Sequence, residues 1–206
     1  FVALTARSES VANVSVGGAY HRSLNQAVND LVDSGTVVVV AAGNDTKDAC
    51  GFSPASATTA ITVAATDKND RRGVFSNYGS CVDIFAPGID IKSAWLGNNN
   101  KTYRIISGTS VASAVVAGLA VVFREQNPNM TPNQIRNLML SRSSKNVVQD
   151  ANSSNAHLAM VPKVNCGPCN EDGSCQSEES AAAVLCIFDN CTCKQSGGSC
   201  KVAAEC

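Results

Sequence analysis

The sequence predicts an α/β protein built on a parallel sheet, followed by a small disulfide-rich module. Three observations carry this. Over the first 161 residues, apolar runs that read as buried strands alternate with segments of helical periodicity. Gly-rich and polar residues fall at the ends of those strands. Eight of the ten cysteines lie between Cys166 and Cys206.

Val11 to Val16 is a short β-branched run ending in Gly17-Gly18. Leu24, Ala27, Val28, Leu31 and Val32 then recur at i, i+3, i+4, i+7 and i+8, one apolar face of a helix. Gly35 stands where a helix C-terminal glycine belongs. Thr36 to Ala42 is almost continuously apolar, as expected of a strand buried on both faces. Ala60 to Ala65 and Val82 to Phe85 are further strand candidates. Ser110 to Phe123 is Ala-rich and apolar on most sides, so it reads as a buried helix. Thr131-Pro132-Asn133-Gln134 predicts a helix start: Thr caps, Pro occupies the first turn and Gln reaches back. Ile135, Leu138 and Met139 form that helix's buried face. In such sheets, sites lie at the carboxyl ends of the strands. Ser15-Val16-Gly17-Gly18 and Ala41-Ala42-Gly43-Asn44 fall there.

Composition narrows the function. The chain has 206 residues, with 16 Lys and Arg against 17 Asp and Glu. So balanced a charge excludes the electrostatic footprint of a nucleic-acid binder. Hydrophobic residues at 44% and charged residues at 16% describe a chain that folds rather than a disordered one. The longest apolar stretch, Val111 to Phe123, is too short to span a bilayer.

Near residue 162 the hydrophobic periodicity stops. Residues 1–161 read as one domain and 162–206 as a second, Cys-rich one. A segment this short cannot build an adequate core without staples. An even number of cysteines there reads as a disulfide framework of undetermined pairing. Such a framework places the protein outside the cytosol, in a secreted or extracellular setting.

Ile106 to Ala112 carries the strongest chemical signal. Ser110 follows a Gly-Thr turn and opens a long apolar helix. A hydroxyl there sits in the positive field of a helix N-terminus, beside backbone N–H groups without intrahelical partners. That suits a nucleophile whose product is an oxyanion. The alternative is that Ser110 only caps the helix. Asn44, at the end of the most apolar strand, can donate to a developing oxyanion without carrying charge. The alternative there is an ordinary turn asparagine.

Taken together the segments are more specific. Ser-Val-Gly-Gly at 15–18, Ala-Ala-Gly-Asn at 41–44, Phe-Ser-Asn-Tyr-Gly at 75–79, Asp-Ile-Phe-Ala-Pro-Gly at 83–88 and Ser-Gly-Thr-Ser at 107–110 occur in this order. The set resembles the subtilisin-like serine proteases, in particular the proteinase K-like branch, over residues 10 to 161. The resemblance implies a three-layer subtilisin-like fold, incomplete at the N-terminus. It implies Ser110 as nucleophile and Asn44 as side-chain donor of the oxyanion hole. Ser15, Val16, Gly17 and Gly18 would form one wall of the pocket for the residue before the scissile bond. Ala41, Ala42 and Gly43 would form the other, with Phe52 at its floor favouring apolar side chains. Polypeptides would be the substrates, held as added strands. Ser53-Pro54 falls where this branch often has a cis proline, and Cys50 and Cys81 match a disulfide of some relatives. No cofactor is implied for catalysis. Asp83 matches a structural calcium ligand, completed by the backbone carbonyls of Thr58 and Ala60; such oxygen donors suit a hard cation.

A serine hydroxyl needs a base, and the base an orienting carboxylate. Subtilisins order these as Asp, His, Ser. The two histidines, His21 and His157, do not sit in the family's His-Gly-Thr setting. The resemblance therefore implies that the catalytic Asp and His lie upstream of Phe1, together with early strands of the sheet. A chain without those strands is expected not to fold stably, since Thr36 to Ala42 would lie near an unpaired edge. Ala114 and Val115 replace the Pro-His that usually follows the nucleophile. Two other readings stand beside the protease: a catalytically dead binding or regulatory protein on the same fold, and an adhesion role for the Cys-rich tail, which would bind another protein or a surface.

Overall fold

The computed structural model describes residues 10–97 and 102–160. The Cys-rich segment at 162–206 lies outside the described residues. The central sheet has four parallel strands in the order β1-β3-β5-β6. They are β1 (Val11–Val14), β3 (Val37–Ala41), β5 (Ile61–Thr66) and β6 (Ile84–Pro87). β3 and β5 are buried at every residue, as a parallel strand covered on both faces must be.

The alternation of a strand sends neighbouring side chains to opposite faces. Val38 and Val40 meet Val28 and Val32 of α1 (Arg22–Asp33), together with Ala57 and Ala60. Val37, Val39 and Ala41 therefore point to the other face. A long helix, α2 (Thr109–Gln126), packs on all four strands. Its sheet-facing residues Ala112, Val116 and Ala120 are small or β-branched, which lets helix and sheet approach closely. The three layers are helix, sheet and helix. Arg124 ties α2 to the α1–β3 turn: its guanidinium donates to the Gly35 carbonyl at 2.8 Å and also to the Met130 carbonyl.

Element boundaries differ from the sequence reading in physically explicable ways. β1 stops at Val14, because residues beyond it turn aside to line a cavity. The strand expected at 82–85 pairs at 84–87; Val82 N donates back to the Gly79 carbonyl of the preceding turn, and Asp83 N donates to the Thr62 carbonyl of β5. In α1 the buried line is Asn25, Val28 and Val32, while Leu24 is 40% exposed. Gly35 does take the left-handed conformation of a helix terminator, φ +103°. The expected capping box opens α3 (Pro132–Arg142). Thr131 Oγ1 accepts from Gln134 N at 3.3 Å, and Thr131 N donates to Gln134 Oε1 at 2.8 Å. Ile135 and Met139 of that helix are buried and Leu138 only half so.

Three small features were not anticipated. β2 (Gly18–Ala19) pairs antiparallel with β4 (Phe52–Ser53), and β7 (Ile91–Ala94) with β8 (Tyr103–Ile106). A 3₁₀ turn at Ala49–Gly51 precedes β4. Cys50 and Cys81 are joined in a disulfide with Cα atoms 5.3 Å apart. The Ser53-Pro54 bond is cis. No helix among the described residues is long and apolar enough to cross a membrane.

Candidate active site

The carboxyl ends of β1 and β3 and the N-terminus of α2 meet at one cavity of about 390 Å³. It is lined by Ser15, Val16, Gly17, Gly18, Ala41, Ala42, Gly43, Asn44, Asp45, Phe52, Ser53, Ala55, Thr109 and Ser110. All ten residues expected to bind substrate or carry catalysis therefore share one wall system. The β2–β4 ladder closes it. Gly18 pairs with Ser53 and Ala19 with Phe52, so the 15–18 segment is drawn toward the half-buried Phe52 ring. A Cβ on Gly17 would stand 3.0 Å from the Ser53 carbonyl oxygen, so a side chain there would push on the Ser53 backbone.

Ser110 does not cap α2. The cap position is Gly108, which has no side chain, and Ser110 is the second residue of the first turn. Its hydroxyl is thus released from helix duty. In this structure Ser110 Oγ donates to the Ser15 carbonyl at 3.1 Å. Ser15 Oγ in return donates to the Ser110 carbonyl at 3.0 Å. Ser113, one turn on and fully buried, bonds the same carbonyl and lies 3.0 Å from Ser15 Oγ. These contacts clamp the first turn of α2 against the end of β1.

Asn44 is held by Thr109, a residue to which the sequence reading assigned no role. Asn44 Oδ1 accepts from Thr109 N and from Thr109 Oγ1, each at 2.9 Å. A backbone N–H can only donate, so the atom facing it must be the amide oxygen. The amide NH₂ is thereby turned the other way. A Cβ placed on Gly108 would stand 3.6 Å from Asn44 Nδ2 and 3.8 Å from Ser110 N. Two nitrogen donors, the Asn44 amide and the Ser110 backbone N–H, therefore border the open space beside Gly108. That is the arrangement an oxyanion requires.

A second unassigned residue sits behind this. Asn77, fully buried, donates from Nδ2 to the Ala42 carbonyl at 2.9 Å. Its Oδ1 accepts from Asp45 N and Lys47 N, each at 3.0 Å. Three bonds from one amide fix the turn that presents Gly43 and Asn44. Gly43 takes φ +102°, a left-handed conformation, and any Cβ there would press on Asn77 Nδ2. Asn77 belongs to the Phe-Ser-Asn-Tyr-Gly segment, so its motif was visible while its partners were not.

Other candidates lie elsewhere. His21 precedes α1, and His157 Nδ1 is 3.2 Å from Ser143 Oγ; neither lines the cavity. Ala114 is exposed and Val115 half-buried on α2. Asp83 is 7% exposed just before β6. Its Oδ2 accepts from Thr62 N at 2.9 Å, two residues past Ala60 in the chain. Its Oδ1 is bonded by the Arg136 guanidinium of α3. Burial pushes the Asp83 carboxyl above its ordinary range, opposed by the Arg136 charge and the Thr62 N–H. A calcium ion at Asp83, Thr58 and Ala60 would have to share a carboxylate already bonded to a cation. The donor set as it stands does not fit one.

A serine in the first turn of a buried helix, beside an asparagine that follows a neighbouring strand end, is a pattern to set against known families. The subtilase family model matches residues 4–158, and the chain belongs to that family. Alkaline serine exoprotease A of Vibrio alginolyticus is 45% identical over 168 residues, 81% of this chain and 31% of that protein. The Extracellular serine proteinase of a Thermus species is 44% identical over 151 residues, 73% of this chain and 37% of that one. The crystal structure of a cold adapted subtilisin-like serine proteinase superposes with a TM-score of 0.75 at 43% identity. That match covers 79% of this chain and 59% of the other. The chain spans about a third of the length of the curated relatives named here.

Proposed function

We propose that this chain supplies the nucleophile, the oxyanion hole and the substrate walls of a secreted serine endopeptidase. Ser110 Oγ attacks the carbonyl carbon of a peptide bond and its proton passes to a general base. The carbonyl oxygen becomes an oxyanion, received by Asn44 Nδ2 and the Ser110 N–H. Collapse of that intermediate expels the amine and leaves an acyl-enzyme on Ser110, which water then hydrolyses. The base and its carboxylate are expected from the residues before Phe1. An extended polypeptide would lie between 15–18 and 41–43, with the side chain preceding the scissile bond in the cavity. Phe52, Ala41, Ala42 and Ala55 favour an apolar one. The disulfide between Cys50 and Cys81 supports an extracellular setting, with the Cys-rich tail at 162–206 as an appended module.

One observation carries this reading. Thr109 pins the oxygen of Asn44 and so leaves its NH₂ to the space beside Gly108, which the Ser110 backbone N–H also borders. The test is labelling of the intact protein with a fluorophosphonate, which reacts with activated serines only. The expected result is one adduct, located by mass spectrometry on Ser110, with peptide hydrolysis abolished in Ser110→Ala. Peptide binding without any adduct would instead make the protein a binding scaffold on a subtilase fold.

A further inference from the structure

We infer that Arg136 is the built-in counter-cation of Asp83 and stands in for a divalent metal there. Asp83 is almost wholly out of water, so its carboxylate requires a compensating charge and satisfied oxygens. Both requirements are met from within the chain. Thr62 N takes one oxygen and the Arg136 guanidinium takes the other. One negative charge faces one positive charge. A calcium ion in the same place would leave an excess of positive charge and lie against a guanidinium, which cannot lose its proton to make room.

The guanidinium is also placed deliberately. The capping box at Thr131 sets the start of α3, and the buried Ile135 and Met139 fix its rotation. Arg136, next to Ile135, must then project toward the sheet end where Asp83 lies. Its Nε is buried and its side chain only 27% exposed, so the head group is committed to this contact rather than to solvent. The charge pair joins Thr62 of β5, the residue before β6 and α3 without a metal.

The inference is independent of the catalytic reading and is tested by calcium binding and unfolding, not activity. The intact protein, Arg136→Met, Asp83→Asn and the double variant are stripped with EDTA. Bound calcium per chain and the thermal midpoint are then measured with and without millimolar calcium. Any sites elsewhere in the protein contribute equally to all four and cancel in the comparison. The expected result has three parts. Wild type and Asp83→Asn bind the same amount of calcium. Arg136→Met binds about one more per chain, at the Asp83 carboxylate the guanidinium has vacated, and gains more in midpoint from calcium than wild type does. The double variant loses that gain. Should Arg136→Met not fold, Arg136→Gln keeps length and polarity without the charge and serves in its place. Loss of a bound calcium in Asp83→Asn would overturn the inference, as would an Arg136 variant that binds no more calcium than wild type.

Discussion

Asn44 carries no charge and is exposed, so its contribution depends wholly on where its amide points. Thr109 decides that through two bonds to one oxygen. Because the oxyanion exists only along the reaction, its donor should matter to turnover and little to substrate affinity. Asn44→Ala is therefore expected to lower kcat on the order of 10²–10³, the cost measured for such a donor in a subtilisin, with KM nearly unchanged. Steady-state kinetics on a peptide substrate separate the two parameters. A change confined to KM would show that Asn44 binds the ground state instead. Asn44 itself was legible in the sequence as a strand-end asparagine beside a glycine. Thr109 was not, since nothing in a Gly-Thr-Ser segment says which neighbour its hydroxyl will meet.

Among the elements, the turn after β3 and the turn after β5 are organised by single polar side chains. Asn77→Leu removes three bonds and leaves the Ala42 carbonyl and two N–H groups without their partner. The expected loss is about 2–4 kcal/mol of stability, with kcat falling as the Gly43–Asn44 turn loosens. Asn77→Asp keeps the two accepting bonds and loses the donated one, so it should fall between Leu and wild type in urea unfolding. If both variants melt like wild type, the turn is held by something else. After β5, Asp67 Oδ1 accepts from Asn69 N at 2.8 Å and Arg71 N at 3.0 Å. The Arg71 N–H, then that of Asn69, lowers the Asp67 pKa. A carboxylate with a lowered folded pKa contributes stability that is present above the unfolded pKa and lost as pH falls through the folded one. NMR titration should accordingly place Asp67 below the ~3.9 of an unperturbed aspartate, and a midpoint at or above that value would contradict the assignment. Helices and central strands of this chain were legible because their periodicity is local. The two-residue β2–β4 ladder and the β7–β8 hairpin were not. Gly18-Ala19 and Phe52-Ser53 are too short to show any period, and their pairing is decided by the cavity they close.

For the whole molecule, the Cys50–Cys81 disulfide ties the segment after the Gly43–Asn44 turn to the segment before β6 across 31 residues of sequence. Constraining a loop of that length in the unfolded chain is worth about 3–4 kcal/mol. Cys50→Ser with Cys81→Ser should lower the unfolding midpoint of the intact protein by an amount that reduction of the wild type reproduces. Equal midpoints for oxidised and reduced wild type would remove the disulfide from the stability account. Since Cys50 follows Asp48 and precedes Phe52, a second effect is expected on the cavity floor, read as a rise in KM for substrates with an apolar side chain there.

The sequence by itself determined the α/β class, a buried strand within 36–42, a buried helix within 110–123 and the identity of Ser110 and Asn44 as candidates. These follow from local pattern: apolar runs, helical spacing, caps and ordered motifs, all of which act between near neighbours along the chain. Only the tertiary structure decided what those residues do to one another. That Thr109 orients Asn44, that Asn77 braces the turn carrying Asn44, and that Arg136 reaches Asp83 are all contacts across long stretches of chain. Their energies depend on direction and on exclusion of water, and neither is set until strands and helices have packed.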